Sequence, residues 1–112
     1  MKILFTAKED NWDAPIDPRF GRMAYILLYD EESGELSSIP NPEADSVGHH
    51  VGLEMADRVL GLHPDVIITG NGPGNKVARV LYRSNIVIYV GAENMSVKEA
   101  YEAFKANDLQ TL

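Results

Sequence analysis

The chain has 112 residues, 45% of them hydrophobic, which is enough for one core-forming domain over residues 1–112 and too little for a second. Its 17 acidic residues against 10 basic ones leave a formal net charge of -7, which repels phosphate backbones and anionic membranes and makes nucleic acid a poor partner. Cysteine is absent, so no thiolate is available for zinc, a disulfide or an iron-sulfur cluster, and any metal must be held by His, carboxylate, Met or backbone groups.

Residues 1–7 form a compact apolar run and are expected as the first strand. Lys2 and the early Lys8-Glu9-Asp10 make the run too short for a signal peptide or a membrane span, so a cytoplasmic protein is expected. From residue 8 to 21 the pattern dissolves into Trp12, Pro15, Pro18 and several acids, a loop of a length uncommon in a small domain unless it is functional or disordered. Trp12 either lids a site there or folds down over one end of the core. Residues 23–29 read as the second strand, and Asp30-Glu31-Glu32-Ser33-Gly34 as a hairpin turn with glycine in the left-handed position. Residues 35–39 return as a third, antiparallel strand with only Leu36 and Ile39 apolar, as suits a sheet edge.

After the connector Asn41-Pro42-Glu43-Ala44-Asp45, the residues Val51, Met55, Val59 and Leu62 recur at helical spacing beside Leu53, Ala56 and Leu60. They predict an amphipathic helix from about Gly48 to Gly61 with His49 and His50 in its first turn. Asp65-Val66-Ile67-Ile68-Thr69 is a β-branched run of the kind buried on both faces of a parallel sheet, and Gly70-Asn71-Gly72-Pro73-Gly74-Asn75 follows as a loop entering a helix. Such a loop lets backbone N–H groups approach an anion. It matches neither nucleotide fingerprint: Asn75 stands where the dinucleotide motif needs a third glycine, and Lys76-Val77 where the P-loop needs Lys followed by Ser or Thr. A turn that only lets strand and helix pack closely explains the glycines equally well. In the next helix Val77, Ala78, Leu81 and Tyr82 are expected to face the core, and Lys76, Arg79 and Arg83 form a basic stripe, in most helices a solvated face. Residues 86–90 make a further buried strand, and Ser96-Val97-Lys98-Glu99 has capping-box spacing for a last helix that buries Val97, Ala100, Tyr101 and Phe104 and frays by about Asn107.

The order β-β-β-α-β-α-β-α predicts an α/β fold in three layers, with a five-stranded mixed sheet of order 3-2-1-4-5 flanked by helices. Strands 1, 3, 4 and 5 then run one way and strand 2 the other. Residues 8–22, 41–50, 70–75 and 91–95 emerge at one edge, so that Arg19, Arg22, His49, His50, Asn94 and the glycine-loop amides share one rim.

Over nearly its whole length the sequence resembles the small dinitrogenase iron-molybdenum cofactor biosynthesis family. The resemblance rests on the Met-Lys-Ile start, on Ile16-Asp17-Pro18-Arg19-Phe20-Gly21-Arg22-Met23-Ala24-Tyr25, on Asn41-Pro42, on Gly70-Asn71-Gly72-Pro73 and on the closing Ser96-Val97-Lys98-Glu99-Ala100; Phe-Gly-Arg is its most specific piece. It implies a ribonuclease H-like fold and a non-enzymatic carrier or accessory role toward an anionic iron-molybdenum or other metal-sulfur cluster or its precursor, passed from a donor or to an acceptor protein. The cofactor-binding residues so implied are Arg19, Phe20, Gly21, Arg22, Gly70, Asn71, Gly72 and Gly74. Family members often carry His where this chain has Arg19, which replaces a metal ligand by a fixed cation suited to charge-assisted hydrogen bonds. His49 and His50 are then the candidate metal ligands, against the plainer reading that adjacent histidines in a first helical turn are solvated.

Two other classes stay open: an enzyme acting on a small phosphorylated metabolite at the same rim, and a regulatory module acting through protein contacts at the basic stripe. A nuclease is disfavoured because the first strand offers no carboxylate for a two-metal site, and no Cys or Ser stands in a nucleophile elbow.

Overall fold

The first apolar run becomes the middle of the sheet. In the computed structural model, which describes residues 1–42, 44 and 51–112, β1 (Lys2–Ala7) is fully buried from Ile3 onward. It pairs antiparallel with β2 (Tyr25–Asp30) on one side and parallel with β4 (Val66–Ile68) on the other. β3 (Glu35–Pro40) pairs antiparallel with β2 across the hairpin turn, where Gly34 has φ +74°. β5 (Val87–Val90) lies parallel to β4. Ile3, Phe5 and Ala7 face one side of the sheet and Leu4 the other, the period of two expected of a central strand.

Helices α1 (Val51–Leu62) and α2 (Asn75–Arg83) cover one face, where Met55, Ala56, Val59, Val77, Ala78 and Leu81 pack on Leu4, Ile26, Ile67 and Ile88. The opposite face is covered by α3 (Val97–Lys105) and by the segment after β1, with Ala14, Ile16, Val97 and Ala100 on Ile3, Phe5, Leu27 and Ile68. This is a mixed α/β arrangement of three layers.

Among the described residues the sheet has six strands, in the order β3-β2-β1-β4-β5-β6, and not five. The extra strand β6 (Gln110–Thr111) lies where the last helix was expected only to fray. Asn107 adopts φ +60° and turns the chain, Leu109 returns to the α3-side core, and the tail pairs antiparallel with β5. A two-residue strand carries no periodic signal; it is held by the partner it meets.

Where both ends are described, boundaries elsewhere shift by one or two residues. The expected helix at 48–61 is observed as Val51–Leu62; Gly48, His49 and His50 lie outside the described residues. Leu53, expected on its buried side, is 46% exposed, and Tyr82 on α2 is 38% exposed. The capping box of α3 forms as expected: the Glu99 N–H donates to Ser96 Oγ (3.1 Å) and the Ser96 N–H to Glu99 Oε1 (3.0 Å). Those bonds hold the Glu99 carboxyl below its ordinary range.

Trp12 takes the covering role. Its half-buried ring lies edge-on to Phe5 and Tyr29 (centroids 6.1 and 4.9 Å) and tilted to Tyr101 (5.8 Å), all on the α3 face. Tyr101 Oη donates to Glu31 Oε2 (2.6 Å), and Lys105 Nζ lies 3.1 Å from the same oxygen. The Tyr101 bond, with Lys105 beside it, lowers the Glu31 carboxyl against the opposing effect of burial, and the same bond pushes the Tyr101 phenol up to about 12.

Candidate functional site

The strand directions place the carboxyl ends of β1, β3, β4 and β5 at one edge, together with the start of β2. Residues 8–24, 41–42, 69–74 and 91–96 therefore share that rim. They are also stitched together. The Asn71 N–H donates to Pro18 O (3.1 Å), the Gly91 N–H to Gly70 O (3.0 Å), and the Ile16 N–H to Met95 O (2.9 Å). Residues 43 and 45–50, including both candidate histidine ligands, lie outside the described residues.

Beneath the rim is a polar strut that sequence reasoning did not single out. The Thr6 hydroxyl donates to the backbone oxygen of Asp17 (2.6 Å) and lies 2.7 Å from the Thr69 hydroxyl. A hydroxyl has one proton, so Thr69 is the donor in the second bond. The Asp17 N–H donates in turn to Thr6 O (2.9 Å). The ends of β1 and β4 are thus joined to the Phe-Gly-Arg loop through three fully buried residues.

The Asp17 carboxylate, 0% exposed, organises the loop above it. It accepts from the Arg19 N–H (3.1 Å), the Ala24 N–H (3.2 Å), Arg19 Nε (3.0 Å) and Arg19 Nη2 (3.1 Å). This is a bidentate pairing that fixes the guanidinium plane, while the Arg19 side chain stays 51% exposed at the rim. The cation expected to face an anion is therefore preset by a buried carboxylate two residues away. Asn41, 6% exposed, clamps the other end: its Nδ2 donates to Gly21 O (3.1 Å) and Met23 O (2.9 Å), and its Oδ1 accepts from Arg58 Nη1 (3.2 Å). Both roles had a sequence signal in Asp17-Pro18 and Asn41-Pro42, where a short polar side chain sits at a prolyl break and turns onto nearby backbone.

The candidate residues separate by what surrounds them. Phe20 packs against the core under α1 and α2, Gly21 is buried with φ +93°, and Arg22 is half-buried. Gly70 is buried against the Phe-Gly-Arg segment: a Cβ there would lie 2.7 Å from Pro18 Cα and 3.0 Å from Glu93 Cβ, so only glycine admits this approach. Gly72 has φ +80°, and a Cβ would come within 3.1 Å of Val90 and 3.2 Å of Leu112. Gly74 differs. Its φ of -66° suits any residue and no atom would meet its Cβ, so its backbone shape does not require glycine. It caps α2 with no side-chain bond to the helix amides, and the first turn carries no acidic residue. Those amides and the positive end of the helix point to the rim without a built-in anion.

Asn94 is exposed at the same edge, and Lys76, Arg79 and Arg83 are exposed along α2. His63 lies at the opposite edge, before β4, beside a 440 Å³ cavity lined by Leu60, Pro64, Asp65 and Asn85 among others. Among the described residues no three His, Cys, Asp or Glu side chains gather in a way that could hold a metal ion. None of the described helices is long and apolar enough to cross a membrane.

The chain superposes with a TM-score of 0.90 on the apo form of the orange protein from Desulfovibrio gigas, at 24% identity, over 99% of this chain and 92% of that one. A candidate NifB protein from Thermotoga, solved by NMR, superposes with a TM-score of 0.82, again at 24% identity over 99% and 92%. At this identity the likeness shows the shared fold. No curated protein matches the sequence significantly. The family assignment comes from the sequence itself: residues 1–107 match the dinitrogenase iron-molybdenum cofactor family, and the chain belongs to it.

Proposed function

We propose that this protein binds and carries, without catalysing a reaction on it, an anionic metal-sulfur cofactor of the iron-molybdenum type or its precursor, at the rim where the Phe-Gly-Arg loop meets the glycine loop. The observation that carries the reading is the Asp17–Arg19 pairing beside the uncapped start of α2. An exposed guanidinium held in one orientation and a set of helix amides without a side-chain acceptor lie on two loops joined by the Asn71 to Pro18 hydrogen bond.

The donor set present is that of an anion cradle. Arg19, Arg22, the amides around Gly72 and Gly74, and Asn71 hold negative charge and hydrogen-bond to sulfur or oxygen; none supplies a thiolate. A pre-assembled cluster fits such a set better than one built on the protein. His49 and His50 supply imidazole ligands in this reading, and Phe20 and Gly21 shape the loop that presents the arginines. A ribonuclease H-like arrangement, a cytoplasmic setting, and a donor or acceptor protein that exchanges the cofactor belong to the same reading. The family to which the chain belongs and the neighbouring orange protein, solved in an apo form, support it.

The test is purification from the native host without air, followed by elemental analysis and a visible spectrum. Stoichiometric molybdenum or iron with sulfur is the expected result. Colourless protein carrying a phosphate compound on mass spectrometry overturns it in favour of a metabolite-binding enzyme. With tetrathiomolybdate, the simplest molybdenum-sulfur anion, as probe, binding weakens below pH of about 6 as protons compete for imidazole, and weakens separately with salt through the arginines. Exchanging both histidines for Asn removes only the pH dependence; exchanging Arg19 and Arg22 for Gln removes only the salt dependence.

A further inference from the structure

The chain has seven asparagines, and Asn71 alone is followed by glycine. Asn71 is exposed, at the top of the glycine loop. Among the described residues neither its side-chain amide nor the Gly72 N–H makes a hydrogen bond; only the Asn71 backbone N–H is engaged, with Pro18 O. Gly72 has no Cβ to shield its nitrogen. The other asparagines are followed by Trp12, Pro42, Lys76, Ile86, Met95 and Asp108, each of which carries a Cβ beside the nitrogen that would have to attack and, for Pro42, has no N–H at all.

We infer that Asn71 is a site of spontaneous deamidation, with water as the co-reactant. The Gly72 nitrogen loses its proton and attacks Asn71 Cγ; the bond from Cγ to the side-chain nitrogen breaks and ammonia leaves. The resulting five-membered succinimide then takes up water at one of its two carbonyls, and the ring bond from that carbonyl to the Gly72 nitrogen breaks. Attack at Cγ gives aspartate on an unaltered backbone. Attack at the main-chain carbonyl gives isoaspartate, whose backbone runs through Cγ. One water is consumed, one ammonia is released, and no oxidant or reductant is needed.

The consequence is local and electrostatic. Either product puts a full negative charge on a loop whose neighbours are Arg19 and the α2 amides, and isoaspartate adds a methylene to the backbone next to Gly70, where there is no room to shift toward Pro18. An anion held at this rim is then repelled in aged protein. That consequence rests on the proposed function; the modification rests on the loop alone.

The full chain is incubated at mildly alkaline pH and followed by peptide mass mapping and isoaspartyl methyltransferase labelling. Conversion at Asn71 on the order of tenfold faster than at Asn75 or Asn94 is expected, because only Asn71 is followed by a residue without a Cβ. Conversion at Asn71 no faster than at those two overturns the inference. Gly72→Ala is a poor control because of its positive φ, so Asn71→Gln, which keeps the backbone and closes a six-membered ring less readily, serves instead and should abolish the dominant product. A dominant product that persists in Asn71→Gln also overturns it. The probe tetrathiomolybdate separates the two readings: if Asn71 converts and the fresh protein binds no probe, the modification stands and the binding function fails.

Discussion

Asp17→Asn is the substitution that tests the site's construction most directly. The aspartate accepts four hydrogen bonds while 0% exposed, two from backbone amides and two from Arg19. Asparagine keeps the shape and one acceptor oxygen but turns an NH2 group toward donors. The guanidinium is half exposed and can turn to water, so losing its two bonds costs little in stability. An amide left facing a donor in the buried loop costs about 1–3 kcal/mol, offset in part because an uncharged side chain is easier to bury; the expected net is about 2 kcal/mol. For a chain of this size that is a fall in melting temperature of roughly 8–12 °C. Urea unfolding should show a lower midpoint with an unchanged slope, and tetrathiomolybdate affinity should fall because Arg19 is no longer held in one orientation. A midpoint change worth under about 0.5 kcal/mol together with unaltered affinity would refute the claim that this carboxylate builds the site.

Gly70→Ala forces a Cβ to 2.7 Å from Pro18 Cα and should destabilise by about 1–3 kcal/mol, while Gly72→Ala at φ +80° should cost about 1 kcal/mol; equal stability to the parent in a denaturant titration refutes either. Gly74→Ser should behave oppositely, adding a few tenths of a kcal/mol by capping α2 and weakening anion binding because its hydroxyl occupies a helix amide. A Gly74→Ser variant that binds the probe more tightly argues against those amides as part of the cradle. Tyr101→Phe removes the bond that lowers Glu31, so it should cost about 1 kcal/mol at neutral pH. Because the folded-state carboxyl is depressed, that contribution is present above its unfolded value of 4.5 and is lost as pH falls through the folded one, so parent and variant melts should converge in acid. On the alkaline side the parent should lose stability as pH rises from 10 toward about 12, where its raised phenol ionises, and the variant should not show this loss. Parallel melting curves across both ranges contradict the assignment.

What the sequence determined was whatever depends on neighbours along the chain. Apolar runs placed β1, β4 and β5, the spacing of Val77, Ala78 and Leu81 placed α2, and Ser96 with Glu99 fixed the start of α3, because strand, helix and cap signals lie within one or two turns of themselves. With strand 2 running against strands 1, 3, 4 and 5, the loops at residues 8–22 and 70–75 had to leave one edge, so the rim was legible before any contact was known. Tertiary structure decided what depends on residues far apart. Asp17 reads as one acid among 17 until burial removes its water and Thr6, Arg19 and Ala24 converge on it. Gly70 and Gly74 look alike in the sequence, yet only Gly70 has Pro18 against it. The strand β6 exists because β5 offers an open edge to a tail too short to hold a strand alone. Burial and close approach are properties of pairs brought together by the fold, and a single residue's chemistry does not encode which partner it will meet.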